Sequence, residues 1–375
     1  MKPIRILLAD DHNVLRDGLR LILERQPDFE VVAEASDGRE ALALVEQHNP
    51  DGRPFRMPIV LEVLADGHVT KREVTIDRNA QDVIVRDIAA APVMVLFDPD
   101  DTVLKKLTFP KTVAELTYQL RHAPHVGDRE WALQQLAAST GGRSAVARAA
   151  TSDPFWGMRK DAVVVAASFD DANAVQQAFH DEDVRVRIAA ETAAGSLHGQ
   201  AAGVVRDLET MTNDSNPDVA GAALTALGAL RTPDAFDRLA AALDRSSFHA
   251  TIAIGALGGL AADCNQRGLE LIEARTTYGT FELERDAAVH ALAQCARTMK
   301  RPELALHTLA VLATRDPLMS TRIAAAAALG TLGDAAAIPY LDQVAREDSQ
   351  EIVRESAEAA KATLRFEAPL ICPSP

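Results

Sequence analysis

Two adjacent carboxylates, Asp10 and Asp11, have the residue type and position for chemistry near the amino terminus. They follow the apolar run Ile4 to Ala9, which is typical of a strand buried on both faces of a parallel sheet. Carboxylate oxygens are ligands that Mg²⁺ accepts, usually together with oxygens of a phosphorylated substrate. The pair could therefore offer oxygen ligands to a hard cation, with a solvated strand end as the alternative.

The elements that must position this pair alternate between strand and helix. After Ile4 to Ala9, apolar residues at helical spacing predict a helix over residues 14–26, Val31 to Ala35 a second strand, and Arg39 to His48 a second helix. This β-α-β-α order, with the segment ADDHNVLRDGLRLILERQPDFEVVAEASDGREAL, resembles the start of a response-regulator receiver domain of the kind joined to helix-turn-helix output domains. The resemblance covers residues 1–50.

In that family the acidic pair helps to hold Mg²⁺ beside a phosphorylated aspartate at the end of the third strand. The resemblance therefore implies that Asp10 and Asp11 hold the metal. After Asn49 the family would continue through apolar residues to the acceptor, whereas this chain continues with PDGRPFR. We therefore expect a truncated receiver-like fragment that is not phosphorylated.

From Phe55 the pattern changes to the alternation of an antiparallel sheet. Two strands flank the turn Asp66-Gly67-His68, a typical hairpin sequence. Further strands are predicted at Val83 to Ile88, Val93 to Phe97 and Val103 to Leu107. The sequence therefore predicts a small β-sandwich over residues 51–111.

Residues 112–366 are rich in alanine, helical in pattern and repetitive. One frame recurs about eight times, at intervals of 28 to 37 residues: an opening position, often Asp, a second site six residues later, and apolar sites thirteen and sixteen residues later. A period in this range is typical of a solenoid in which each unit is a pair of antiparallel helices. The segment DPLMSTRIAAAAALGTLGDAAAIPYL resembles a HEAT repeat. The sequence thus predicts a mostly α chain, with a solenoid of about eight helix pairs over 112–366 and a tail over 367–375.

Two residue types recur at set positions of this frame. Asp suits the start of the second helix, because its carboxylate can accept hydrogen bonds from free amides there. Arginines recur six residues later, and their recurrence favours a role in repeat stacking or capping over a ladder of ligand-binding groups. They are Arg159, Arg187, Arg322 and Arg354.

The sandwich followed by a helical array carries a second resemblance, over residues 53–366. The segment that ends in FDPDDTVLKKLTF is similar to the carboxy-terminal half of aminopeptidase-N-type zinc peptidases, in which a β-sandwich links the catalytic domain to a HEAT-like bowl around the peptide chamber. The chain contains no H-E-x-x-H motif with a downstream Glu and no Gly-Ala-Met-Glu-Asn segment. Catalytic zinc needs three protein ligands, so we expect no enzyme activity from this chain.

Other candidate sites are weaker. His122 and His125 flank Pro124 and lack an evident third metal ligand, and the glycines of 255–259 fit helix packing better than a nucleotide loop. Ser139 to Gly142 predicts a turn. Three cysteines, Cys264, Cys295 and Cys372, are too few and too scattered to indicate a disulfide framework or a C-x-x-C metal site.

Composition narrows the classes of partner. A formal net charge of −15 disfavours non-specific binding to nucleic acid or to an anionic membrane, and no apolar run is long enough to span a bilayer. The amino terminus does not have the pattern of a signal peptide, and we expect a cytoplasmic protein.

We therefore expect a non-catalytic binding or scaffold module that holds a peptide or protein on the concave face of the solenoid, without a cofactor other than Mg²⁺ at Asp10 and Asp11. The alternative is a response-regulator-like signalling protein with a HEAT-like output, which requires that the fragment complete its sheet with later strands or with a partner. A third interpretation is a fusion of two unrelated pieces. Pairing of Ile4 to Ala9 with the strands after Phe55 would favour signalling.

Overall fold

The fold was analysed in a computed structural model, which describes residues 3–48, 56–78, 80–103, 105–198 and 202–367. The chain divides into two compact parts, Met1–Ala132 and Leu133–Pro375. Within the described residues, the first part holds the five strands and the second is helical.

The first part opens with the predicted β-α-β-α order. Strand β1 (Ile4–Ala9) pairs in parallel with β2 (Phe29–Ala35), and helices α1 (Asn13–Leu23) and α2 (Gly38–His48) each follow a strand. This two-stranded sheet is separate from the strands that follow. Among the described residues, β1 therefore does not pair with the strands after Phe55, and the pairing expected for the signalling alternative is not found.

The second sheet has three antiparallel strands in the order β4-β3-β5. Strands β3 (Met57–Ala65) and β4 (His68–Ile76) form the predicted hairpin through Asp66 and Gly67, both with the positive φ that a tight two-residue turn requires. Strand β5 (Met94–Phe97) pairs with the other edge of β3.

Two predicted strands in this region are wrong. Val83 to Ile88 is irregular, and the described residues of Val103 to Leu107 are not in a strand, while Leu104 lies outside them. The expected sandwich is therefore one three-stranded sheet among the described residues. Val83 and Ile84 are 36% and 74% exposed, so the alternating apolar residues of this segment are not packed into a sheet.

The helices form antiparallel pairs in chain order, as predicted. Helices α3 (Val113–His122) and α4 (Val126–Ala137) come first in chain order. Seven pairs follow in the second part: α5 (Arg143–Ser152) and α6 (Trp156–Ser168), α7 (Ala172–Ala178) and α8 (Val184–Ala194), α9 (Ala202–Met211) and α10 (Pro217–Leu230), α11 (Ala235–Ala242) and α12 (Thr251–Asp263), α13 (Gln266–Ala274) and α14 (Glu282–Thr298), α15 (Glu303–Arg315) and α16 (Met319–Leu332), α17 (Ile338–Glu347) and α18 (Glu351–Glu367).

The second helix of each pair stacks on the second helix of the next pair, and we call these helices, α6 to α18 in even numbers, the second row. The apolar sites of the repeat frame lie in the core between them: Leu227, Leu257 and Leu329 are fully buried, and Leu332 is nearly so. The first helices of the pairs, α5 to α17 in odd numbers, form the first row and touch one another much less. Within this part the second row therefore forms the concave side.

Helices α10 and α12 approach most closely. A Cβ atom on Gly255 would lie 2.3 Å from the carbonyl oxygen of Gly221, and one on Gly228 would lie 2.2 Å from that of Gly259. The backbones therefore touch where these residues lack side chains, which confirms the prediction that the glycines of 255–259 serve helix packing.

The cysteines differ from the expectation. Cys264, at the end of α12, and Cys295, in α14, form a disulfide, and Cys372 lies outside the described residues. The two are 31 residues apart, about one repeat, and a solenoid places such positions in neighbouring units. Spacing rules for small disulfide-rich proteins do not consider cysteines that lie one repeat apart.

Candidate functional site

The predicted metal ligands Asp10 and Asp11 lie together after β1, and His12 joins them. The Nδ1 atom of His12 is 2.7 Å from Oδ1 of Asp11 and 3.5 Å from Oδ1 of Asp10. Potential ligand atoms of all three lie within 4.8 Å of one another, and no other group of three such residues occurs in the part of the chain that the structure describes. The arrangement could offer oxygen and nitrogen ligands to a divalent cation. Sequence reasoning missed His12, although it directly follows the pair.

The surroundings of this group are incomplete as a phosphorylation site. Within the described residues, no third parallel strand brings another carboxylate beside Asp10 and Asp11. Residues 49–55, where the receiver family would continue toward its acceptor, lie outside the described ranges. The side chain of Asp11 is 81% exposed, so water can satisfy it without a metal.

The recurring aspartates turn the chain into each second-row helix. Oδ1 of Asp153 accepts a hydrogen bond from the amide of Phe155, 2.9 Å away, and Phe155 immediately precedes α6. The same bond to the residue two positions later recurs at Asp181, Asp214, Asp316 and Asp348. The predicted capping role is therefore wrong by two residues: each aspartate holds the amide of the residue that precedes the helix.

The recurring arginines connect successive repeats. Arg159 donates from Nη1 to the carbonyl oxygen of Asp153 in its own repeat, at 2.9 Å, and from Nε and Nη2 to the carboxylate of Asp181 in the next, at 2.7 and 2.9 Å. Arg322 makes the same contacts to Asp316 and Asp348. These charge-assisted bonds lie in a largely buried position. They confirm the stacking role, and we call this series of contacts the Asp–Arg ladder.

The ladder is interrupted between the repeats of Asp181 and Asp214. Arg187 donates to the carbonyl oxygens of Asp181 and Glu182 in its own repeat. Glu191, one turn further along α8, is fully buried, and neither of its carboxylate oxygens has a hydrogen-bond partner. Burial raises the pKa of Glu191 to about 8, repulsion from Asp214 adds to the rise, and Arg187 opposes it. Glu191 is therefore protonated at neutral pH.

Three neighbouring helices of the second row share an uncharged exposed surface. No charged residue occurs in four stretches of these helices, although 25% of the chain is charged. They are 188–190 and 192–194 of α8, 219–230 of α10 and 251–262 of α12. Partly exposed members include Ile188, Ala222 and Ile254. We call this surface the neutral strip. It is bounded by Lys160 and Asp161 of α6 and by Asp286 of α14.

A pocket of about 660 Å³ lies at the turn between α11 and α12. His249 and Ala250 both have left-handed backbone conformations there, and Phe248 is 73% exposed and stacks on His249. Arg275 fills part of the opening through bonds to Leu243, Asp244 and Glu284. No motif in the sequence marked this pocket.

In the first part, the carboxylate of Asp98 binds several groups of the FDPDDTVLKKLTF segment. Its carboxylate accepts bonds from the amides of Thr102 and Val103, both at 3.1 Å, and from Nζ of Lys105 at 2.8 Å. Burial would raise the pKa of Asp98, but these bonds outweigh burial and lower it to about 2. The segment is thus a loop held by one buried aspartate.

The weaker candidates are separate from one another. His122 stacks on Tyr118, while His125 lies 3.6 Å from Asp100, so the two histidines have different neighbours. Residues Thr140–Gly142 form one short helical turn, as predicted for that segment.

Residues 172–258 and 269–361 match the family model of HEAT repeats. The helices of these two ranges form HEAT repeats. No helix in the described ranges has the length and apolarity that crossing a membrane requires.

Curated relatives match a shorter stretch of the chain. Transcriptional regulatory protein DegU of Brevibacillus brevis is 50% identical over 48 residues, which are 13% of this chain and 20% of that protein. Transcriptional regulatory protein LiaR of Bacillus subtilis (strain 168) is 38% identical over 102 residues, or 27% of this chain and 42% of that protein. The chain thus spans less than half the length of these relatives.

A solved structure, Legionella pneumophila aminopeptidase A in complex with aspartic acid, is similar in fold. The similarity has a TM-score of 0.50 at 11% identity and covers 83% of this chain and 46% of that enzyme. The covered share exceeds what the HEAT-repeat array alone contains. At this identity the likeness concerns the fold.

Proposed function

We propose that this protein is a non-catalytic binding module that holds a peptide or a segment of a protein partner on the neutral strip of its HEAT-repeat array. The observation that supports this is that the stretches of α8, α10 and α12 that form the neutral strip contain no charged residue, in a chain with a formal net charge of −15. Uncharged side chains lose little hydration free energy when a partner covers them.

Shape supports the same proposal. The second row forms the concave side of its part of the molecule, and repeat arrays bind extended partners along such surfaces. The occupant expected there is a segment with apolar side chains.

The test is a selection of peptides from a random library on the full-length protein, followed by affinity measurement for single peptides by fluorescence anisotropy. Replacing half-exposed Ile254 on α12 by Glu should weaken the binding of selected peptides by about tenfold or more, because a charge would be covered without a partner.

Ala241→Glu is the matched control, since Ala241 is exposed on the first-row helix α11. This change should leave the affinity unaltered. Equal loss with both variants, or no loss with Ile254→Glu, would place binding elsewhere and reject the neutral strip.

We propose further that the chain has no catalytic activity of its own and acts in the cytoplasm. The sequence supplies no set of zinc ligands like that of aminopeptidase-N-type enzymes. The purified protein should hydrolyse no aminoacyl substrate and should contain no stoichiometric zinc by metal analysis. Either activity or bound zinc would contradict this proposal.

The second candidate is a signalling function, which is supported by the group Asp10, Asp11 and His12 and by the identity to transcriptional regulatory proteins. Under this alternative, incubation with acetyl phosphate and Mg²⁺ should add an acid-labile phosphate that is lost in Asp10→Asn. An unchanged intact mass after incubation would exclude it.

A further inference from the structure

Strand β1 has one unpaired edge within the described residues. Its single neighbour is β2, toward which Ile4 and Asp10 both donate their amides. Backbone groups of alternate residues in a strand point to opposite edges. Arg5, Leu7 and Ala9 therefore present their N–H and C=O groups at the other edge.

The outer edge of the second sheet shows a contrast. Strand β4 carries Lys71, Arg72 and Glu73 in its centre, and charged side chains of this kind deter edge-to-edge pairing. Strand β1 reads IRILLA and has Arg5 as its single charge. Of these two edges, β1 is the one without protection against another strand.

The receiver-like fragment also exposes apolar surface. Helix α1, which packs on β1 and β2, has no buried residue, and Val14, Leu15 and Ile22 are 86%, 52% and 60% exposed. Ile4 at the start of β1 is also 60% exposed. Exposed apolar residues this concentrated indicate a surface that is covered in the assembled protein.

We propose that β1 pairs antiparallel with β1 of a second copy of this chain, so that two fragments form one sheet in the order β2-β1-β1-β2. A strand edge specifies the chemistry of its partner, because it can be satisfied only by another extended backbone.

The sequence of β1 is complementary to itself. With a twofold axis at Leu7, Arg5 of one copy lies opposite Ala9 of the other, Ile6 lies opposite Leu8, and Leu7 meets Leu7 of the second copy. This register places the unpaired N–H and C=O groups opposite each other, sets no like charges side by side and pairs apolar residues with apolar residues. A twofold interface uses the same surface twice, as this one does.

The dimer goes beyond the proposed binding function, since it joins two HEAT-repeat arrays through a region outside them. The first measurement is the molar mass of the full-length protein by light scattering after size-exclusion chromatography, over a dilution series. A mass of twice the chain that falls on dilution is expected. A monomer at every concentration would overturn the proposal and would favour residues 49–55 of the same chain, or nothing, as the occupant of the edge.

Charge variants test the register. Leu7→Lys and Leu7→Asp each place like charges opposite each other at the axis, and each should raise the dissociation constant by about tenfold or more. An equimolar mixture of the two should form a heterodimer, because the charges are then opposite. Recovery on mixing also shows that the variants are folded.

Val69→Lys on the outer strand β4 is the control, since Val69 is exposed on the other sheet edge and should not alter the mass. A wild-type dimer that persists in both Leu7 variants, or a mixture that stays monomeric, would overturn the β1 interface.

Discussion

At the scale of single residues, the Asp–Arg ladder shows how one side chain can join two repeats. Arg159 and Arg187 occupy the same position of the frame, yet Arg159 binds the carboxylate of the next repeat and Arg187 does not. Arg159→Ala leaves the buried carboxylate of Asp181 without its partner and should lower the free energy of unfolding by about 3 kcal/mol. Arg187→Ala removes bonds to carbonyl oxygens alone and should cost about 1 kcal/mol. Urea denaturation followed by circular dichroism measures both; equal losses would contradict the ladder.

The single carboxyl group of Glu191 makes the free energy of unfolding depend on pH. Burial raises its pKa from the model-compound value of 4.5 to about 8 in the folded protein. The stability that depends on its protonated form is complete below about pH 4.5 and is lost as the pH rises through 8. Glu191→Gln should therefore be more stable than the wild type at pH 9, by on the order of 2 to 4 kcal/mol, and similar to it near pH 5.

Thermal unfolding at several pH values checks this expectation. Glu355→Gln, at an exposed position of α18, is the control and should follow the wild type at every pH. A Glu191→Gln variant whose stability falls in parallel with the wild type between pH 5 and 8 would be inconsistent with a buried, neutral carboxyl group.

At the scale of elements, the distance between α10 and α12 depends on residues that lack side chains. Gly255→Ala would bring a Cβ atom to 2.3 Å from the backbone of Gly221, so the helices must separate. The expected loss is about 2 kcal/mol of unfolding free energy. Gly268→Ala on α13 meets its nearest neighbour at 3.6 Å and should be neutral or stabilising by up to about 1 kcal/mol. Differential scanning calorimetry separates the two outcomes; similar midpoints for both variants would argue against backbone contact.

The disulfide acts between elements as well, since it links α12 to α14 across one repeat. Closing a loop of this length stabilises a fold by about 4 kcal/mol in the chain-entropy model. We expect one free thiol per denatured, non-reduced chain and three after reduction, together with a lower thermal midpoint in reducing buffer. Ser at Cys264 should remove the difference between the two buffers. Three free thiols in protein purified without reductant would show that the cysteines are not paired.

At the scale of the whole molecule, the fragment before residue 49 and the later sheet are separate in their strand pairing. A chain that begins at residue 53 should therefore keep the thermal midpoint of the HEAT-repeat array to within about 2 °C, because no core residue of the array is removed. Calorimetry of the shortened and full-length proteins gives the comparison. A midpoint lower by many degrees would mean that residues 1–52 support the array.

The order of the elements follows from local patterns of residues. The apolar run Ile4 to Ala9, the Asp66-Gly67 turn and the repeat frame of leucines and aspartates each record a local or periodic constraint, and the structure follows them. Asp10 and Asp11 were found in the same way, because neighbouring residues after a strand lie together by necessity. Magnesium binding by this pair stays a prediction.

Which of these parts contact one another depends on how the chain packs in three dimensions. Three features depend on how one repeat stacks on the next. They are the bond from Arg159 to Asp181, the disulfide between Cys264 and Cys295, and the burial of Glu191. Tertiary packing also determines that Val83 to Ile88 forms no strand and that one edge of β1 is unpaired among the described residues. Strand pairing joins residues far apart in the chain, and a pattern of apolar residues does not state which neighbour will satisfy the backbone.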